Sequence, residues 1–346
     1  MDPYAVGMHT RQLWLDLARG IAVISMVVAH TAPAGGIFNV TEYLTAPLFA
    51  AAIGAGVELA WRSWGDGAAR FVGASVVRGL MLVTVGVLLQ PVYWQIVVVL
   101  QWLGVLTALL AVLVVLRVRG WIAIGASLGV LAVAYPLMVA TRGPWLPRGS
   151  LAWAVEFVAS GGPYRLLPLM AAGLLGVGLT HWLGRDTVSR RSSFLVAAGA
   201  GSVAALAVSI GKATTLGADP YSGTYPEMLA SLGLVTMTLS ASRWLIDSLP
   251  DSNLGWLDPL VATGRLAMTA YVLQSVVLRI LTDAFLGGSR DDHWWVLATT
   301  LVVLVGFSWA WRRFVGQGPF EWLLRVHLPL FRTAGRAGGR GRASGT

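Results

Sequence analysis

Long apolar runs alternate with short polar breaks along the chain, among them "RSWGDGAAR", "RVRG", "GRDTVSRR" and "LPDSNLGWLDP". Ten runs come close to the roughly 20 residues that a helix needs to cross a bilayer. They lie at about 13–33, 43–61, 71–90, 95–116, 120–140, 166–183, 193–211, 228–246, 259–282 and 293–311. The Gly, Pro and charged residues between them are helix-ending signals. The pattern predicts an all-α, polytopic membrane helix bundle of about ten transmembrane helices. It divides the chain into an N-terminal flank (1–12), a membrane domain (13–311) and a basic tail (312–346), whose Gly-rich end is expected to be disordered. "MAAGLLGVGLTH" and "AAIGAGVEL" place small residues at helical spacing, which lets helix backbones approach closely.

Charge placement orients the bundle. With the N-terminus inside, the inner connections and tail hold fourteen arginines: Arg62, Arg70, Arg117, Arg119, Arg185, Arg190, Arg191, Arg312, Arg313, Arg325, Arg332, Arg336, Arg340 and Arg342. The outer connections hold five basic residues, Arg142, Arg148, Arg165, Lys212 and Arg290. The positive-inside rule then puts both termini in the cytoplasm. A plasma (inner) membrane location is expected. The A-P-A of "AHTAPAGG" resembles a signal-cleavage site, but Asp16 and Arg19 interrupt the apolar core such a signal needs.

Composition agrees with the pattern. Hydrophobic residues make up 56% and charged residues 12%, too apolar for an ordinary soluble domain. A net charge of +9 is accounted for by topology and is no sign of nucleic-acid binding. The absence of cysteine removes thiolate chemistry. No histidine stands at metal-ligand spacing from a second ligand, and no phosphate-cradling Walker loop is present, so neither a zinc site nor an ATP-driven pump is expected.

The chemistry concentrates where charge enters an apolar run. "LDLARGIAVISMVVAH" carries Asp16, Arg19 and His30. Arg19 and His30 are eleven positions apart, close to three helical turns, so they share a face about 16 Å apart along the axis. Asp16 falls one turn before Arg19. Asp16 and Arg19 can form a structural ion pair, and His30 can be satisfied by a neighbouring backbone. A polar path across the bilayer explains the whole stripe at once. The second span opens with "TEYLTAPLF", which offers Glu42 as the partner that orients His30.

"LDLARGIAVISMVVAH" resembles the first-helix signature of the transmembrane acyltransferase superfamily. This group includes acyltransferase type 3 proteins, heparan-alpha-glucosaminide N-acetyltransferase and YeiB-like bacterial proteins. Arg19 to His30 matches the type 3 arginine–ten residues–histidine spacing. "APLFAAAIGAGVEL", "YRLLPLMAAGLLGVGL", "GRLAMTAYVLQS" and "GPFEWLLR" resemble further helices and the tail of the N-acetyltransferase and YeiB branches. Two features depart: the type 3 R-x-x-R motif is missing, and "VVLQWLG" has Val98 where those branches often have an acid.

The resemblance implies acyl transfer across the membrane. An acyl-CoA donor, acetyl-CoA first among candidates, would bind from the cytoplasm, with no tightly held cofactor. The acceptor would be a glycan, glycolipid or small molecule on the far side. His30 would be the general base or the acyl carrier, with Asp16, Arg19 and Glu42 around it. Arg78 in "VVRGLML" lines the donor site or pairs with a carboxylate such as Glu58. Arg265 is the second donor-binding candidate. Tyr271, Gln274 and Ser275 share a helix face and serve either an interhelical contact or substrate. Tyr164 and Arg165 meet the acceptor or anchor the interface. The rival reading is a proton-coupled transporter or exporter without acyl-transfer chemistry, using Asp16, Arg19, Glu42 and His30 as a relay. A catalytically silent scaffold is the third.

Overall fold

The computed structural model describes residues 3–33, 36–92, 95–142, 150–185, 187–288 and 291–331. Among them all regular structure is helical. In chain order the helices are α1 (Pro3–Thr31), α2 (Val40–Arg62), α3 (Ala68–Leu89), α4 (Leu100–Val115), α5 (Trp121–Thr141), α6 (Ser150–Val155), α7 (Leu166–Leu183), α8 (Arg190–Ala213), α9 (Tyr225–Ser248), α10 (Asp258–Arg265), α11 (Ala267–Phe285), α12 (Trp294–Phe314), α13 (Pro319–Leu323) and α14 (Leu328–Phe331). Nine described helices are long and apolar enough to cross a membrane: α1 from Leu13, α2, α3, α5, α7, α8, α9, α11 and α12.

Burial ranks these helices. In α7, 78% of the apolar window is inside the bundle, against 22% in α8, so α7 is a core helix and α8 a peripheral one. α2 is the hub, touching α1, α4, α7 and α9. Its contact with α7 is backbone on backbone, because a Cβ at Gly54 would strike the carbonyl of Gly173 and one at Gly176 that of Ala51. Close approach of this kind is what glycine supplies between membrane helices, where lipid tails are as apolar as the side chains.

Two expected runs need correction, and one connection is structured. The run at 95–116 starts with non-helical residues, which leaves α4 only 16 residues long. The connection between α5 and α7 contains α6 and a π-helical turn (Glu156–Ser160). That turn leans on α4: Trp102 stacks on Phe157 at 5.0 Å and donates its indole N–H to the Phe157 carbonyl at 3.1 Å. Most consequential is the run at 259–282, which breaks at Leu266 into α10 and α11. After α12 the chain turns back, with α13 against α11 and α14 against α3. The His327 ring faces the Ala74 carbonyl at 2.9 Å, and burial lowers its pKa. Arg148, Arg290, Arg332, Arg336, Arg340, Arg342 and the Ala34–Gly35 portion of the A-P-A stretch lie outside the described residues, as does the side chain of His9.

Candidate functional site

The α10–α11 break shapes a cavity of about 380 Å³. It opens between α1, α2, α3, α4, the α10–α11 junction and α13. α1 and α10 meet through their backbones: a Cβ on Gly264 would collide with the Asp16 carbonyl. That contact sets Arg265 beside Asp16. One carboxylate oxygen of Asp16 accepts from Arg19 Nη1 at 3.2 Å and the other from Arg265 Nε at 2.9 Å. Gly264→Ala is therefore expected to cost about 1–3 kcal/mol of stability, as overpacking typically does, read as a lower unfolding midpoint in detergent. An unchanged midpoint would mean that the two helices separate freely.

Glu321 of α13 seals the break. In a continuous helix the N–H groups of Met268 and Thr269 would bond to the carbonyls four residues back. Here Glu321 Oε1 accepts both, at 2.8 and 3.0 Å, and Oε2 accepts the Thr269 hydroxyl. A carboxylate at a helix N-terminus also complements the helix dipole. The cavity wall thus holds four guanidinium groups, Arg19, Arg78, Arg265 and Arg325, against one carboxylate, Glu321, that already has partners; Asp16, bonded to Arg19 and Arg265, lies behind the wall. Among the described residues, Arg78 and Arg325 have no carboxylate within ion-pair distance. The other side of the wall is apolar, formed by Phe49, Ile53, Leu82, Leu100 and Leu103. Such a cavity suits a ligand with an anionic head and an apolar arm.

His30 does not line this cavity. It is reached along α11. Tyr271 lies in the cavity wall, and its hydroxyl accepts the Val99 N–H at 3.3 Å. One turn further along, buried Gln274 places its Nε2 3.0 Å from His30 Nδ1. Gln274 Oε1 is buried without a hydrogen-bond partner among the described residues. The expected His30–Glu42 pair is corrected by the α1–α2 seam. There Ser25 Oγ meets Thr45 Oγ1 at 2.8 Å and donates to the Thr41 carbonyl at 3.3 Å. The Thr41 carbonyl and Thr45 hydroxyl face α1, while Glu42, about 100° round the helix from Thr41, lines a different cavity. Arg78 does not pair with Glu58 either. The Glu58 carboxylate is fully buried and accepts from Arg62 Nε at 2.8 Å, with His181 3.9 Å away.

Glu42 instead lines a small cavity at the opposite end of the bundle, with Tyr164, Arg165, Tyr221 and Glu227. Burial pushes the Tyr164 phenol up to about 12 and raises that of Tyr221 as well, so both keep their protons at neutral pH. Burial lowers the pKa of Arg165. Arg19, Arg78, Arg265 and Tyr271 are thus gathered in one cavity, with Asp16 bonded to it, and Glu42, Tyr164 and Arg165 in the other. Gln274 stands with His30 between the helices. Sequence reasoning missed Glu321 and Arg325 as cavity residues, although both sit in "GPFEWLLR". It also missed Tyr221 and Glu227, which flank an unremarked polar loop.

The fold and the cavity define a multi-pass helical membrane protein with an arginine-lined chamber. Residues 178–328 match a family model described as "Protein of unknown function (DUF418)". The matched stretch includes the α10–α11 junction, Arg265, Gln274, Glu321 and Arg325, together with the YeiB-like stretches "GRLAMTAYVLQS" and "GPFEWLLR". No curated protein matches the chain.

Proposed function

We propose that the protein is a plasma-membrane acyltransferase. It takes an acyl group, acetyl first among the candidates, from a CoA thioester on the cytoplasmic side. It passes that group to a glycan, glycolipid or small-molecule acceptor on the other side. One observation carries the reading: an arginine-lined, half-apolar cavity whose α11 wall continues through Tyr271 and Gln274 to His30. The arginines suit the donor's phosphates and the apolar wall suits its pantetheine arm and acyl group. The charge bias of the connections supports a cytoplasmic position for the arginine-lined end.

A charge-assisted hydrogen bond contributes about 1.5–3 kcal/mol, which is roughly tenfold or more in affinity. Labelled acetyl-CoA is therefore expected to bind purified full-length protein in detergent, and Arg78→Ala to weaken that binding at least tenfold. Folded wild-type protein that binds no acyl-CoA would sink the reading. The presence of a charged cavity at each end favours a second one, proton-coupled transport, which proton-driven flux in vesicles without donor would support.

A further inference from the structure

The cavity opposite the arginines has chemistry of its own. Its wall carries two carboxylates, Glu42 from α2 and Glu227 from α9. Among the described residues neither has an arginine, lysine or histidine within ion-pair distance. The guanidinium in the same wall, Arg165, is directed elsewhere: its Nε donates to the Gly161 carbonyl and its Nη2 to the Tyr221 carbonyl, both at 3.0 Å. Glu227 is fixed in place, with Oε2 accepting the Gly223 N–H at 3.2 Å and Oε1 the Ser231 hydroxyl at 3.3 Å. Two carboxylates therefore share a wall with one guanidinium whose Nε and Nη2 are already committed to backbone.

The remaining wall is aromatic. Tyr164 and Tyr221 meet edge to face, with ring centroids 5.8 Å apart. Tyr221 adopts a φ of 62°, a left-handed conformation that bulky residues rarely take. The bond from Arg165 to its carbonyl helps hold it there, in the cavity lining.

We propose that this cavity binds the ammonium group of a small primary amine. The two carboxylates supply the opposite charge and accept its N–H groups, and the tyrosine faces add cation–π attraction. The volume, about 40 Å³, exceeds the roughly 10–15 Å³ that one water requires, which leaves room for an ammonium group and a short carbon stem. The same charges repel anions and give a neutral alcohol no compensating attraction. The proposal stands on this cavity alone and does not depend on the acyl-transfer reading.

Calorimetric titration of full-length protein in detergent with ethylammonium tests it, with ethanol as the neutral counterpart. Saturable binding of ethylammonium and none of ethanol is expected, weakened at least tenfold in Glu227→Gln and in Glu42→Gln. No saturable binding to folded wild type overturns the proposal, as does equal binding of ethanol or affinity unchanged in both variants. Because either substitution can unfold the protein, the ethylammonium–ethanol comparison on wild type decides the matter without one. The acetyl-CoA titration is a separate measurement, so the two proposals fail independently.

Discussion

Asp16→Ala is expected to destabilise the protein by about 2–3 kcal/mol while leaving donor binding intact or tighter. The stability loss follows from where the carboxylate lies. Its side chain is 11% exposed, and it bridges two guanidinium groups that are 29% and 27% exposed. Exposed ion pairs contribute about 0.2–1 kcal/mol, and breaking a fully buried pair costs about 3–5 kcal/mol. The Asp16 cluster lies between these limits, nearer the buried one because one carboxylate serves two partners. Its removal leaves Arg19 and Arg265 repelling each other at the seam between α1 and α10. The same change raises the positive charge of the cavity, which favours a phosphate-bearing ligand and steepens the salt dependence of its binding. Thermal unfolding and acetyl-CoA titration of the same sample separate the two effects. An unchanged midpoint would show that the ion pairs contribute nothing net. A folded variant that loses donor binding would make Asp16 part of the binding surface itself.

Much of the architecture was legible because hydrophobic length and charge placement act locally. The apolar runs predict the long helices, and the three-residue spacing of Asp16 and Arg19 predicts the pair that forms at 3.2 Å. Periodicity also puts Tyr271 and Gln274 on one face of α11. What a helical wheel does not contain is the identity of the neighbour. The run through "GRLAMTAYVL" continues apolar after Leu266, and the Gly264–Arg265 pair before it is too weak a stop signal to announce a break. Its cause is tertiary: Gly264 pressed on α1, and a carboxylate from Glu321, more than fifty positions later, taking the freed N–H groups. Glu42 failed as a partner for His30 for a related reason. Adjacency of the first two spans was correct, but the rotation of α2 is fixed by the Ser25–Thr45 contact, two small hydroxyls without a distinctive sequence signal. Arg165 was singled out, yet its orientation depends on the carbonyls of Gly161 and Tyr221, which only the folded loops bring together.

On the acyl-transfer reading, His30→Ala is expected to reduce turnover by about 10²–10⁴-fold, the range for loss of a general base, with acetyl-CoA affinity nearly unchanged. The expected separation follows from geometry, since His30 lies outside the arginine-lined cavity and touches Gln274. In the transfer step the acceptor's oxygen or nitrogen bonds to the thioester carbonyl carbon while the C–S bond breaks. The acceptor's proton goes to the imidazole and is returned to the departing CoA thiolate. To take that proton, His30 must have a free lone pair facing the acceptor. With Gln274 Nε2 donating to Nδ1, the ring's own proton sits on Nε2. With the amide turned over, Oε1, now without a partner, accepts Nδ1–H and leaves Nε2 free as the base. Gln274 is on this account a positioning residue. Gln274→Leu should lower turnover less than His30→Ala does and shift its pH profile, because the ring loses the partner that selects its tautomer. Wild-type turnover in folded His30→Ala would remove the histidine from the mechanism. Equal losses of donor binding and turnover would instead mean that the substitution disturbs the cavity, and the comparison with Gln274→Leu would show whether that disturbance travels along α11.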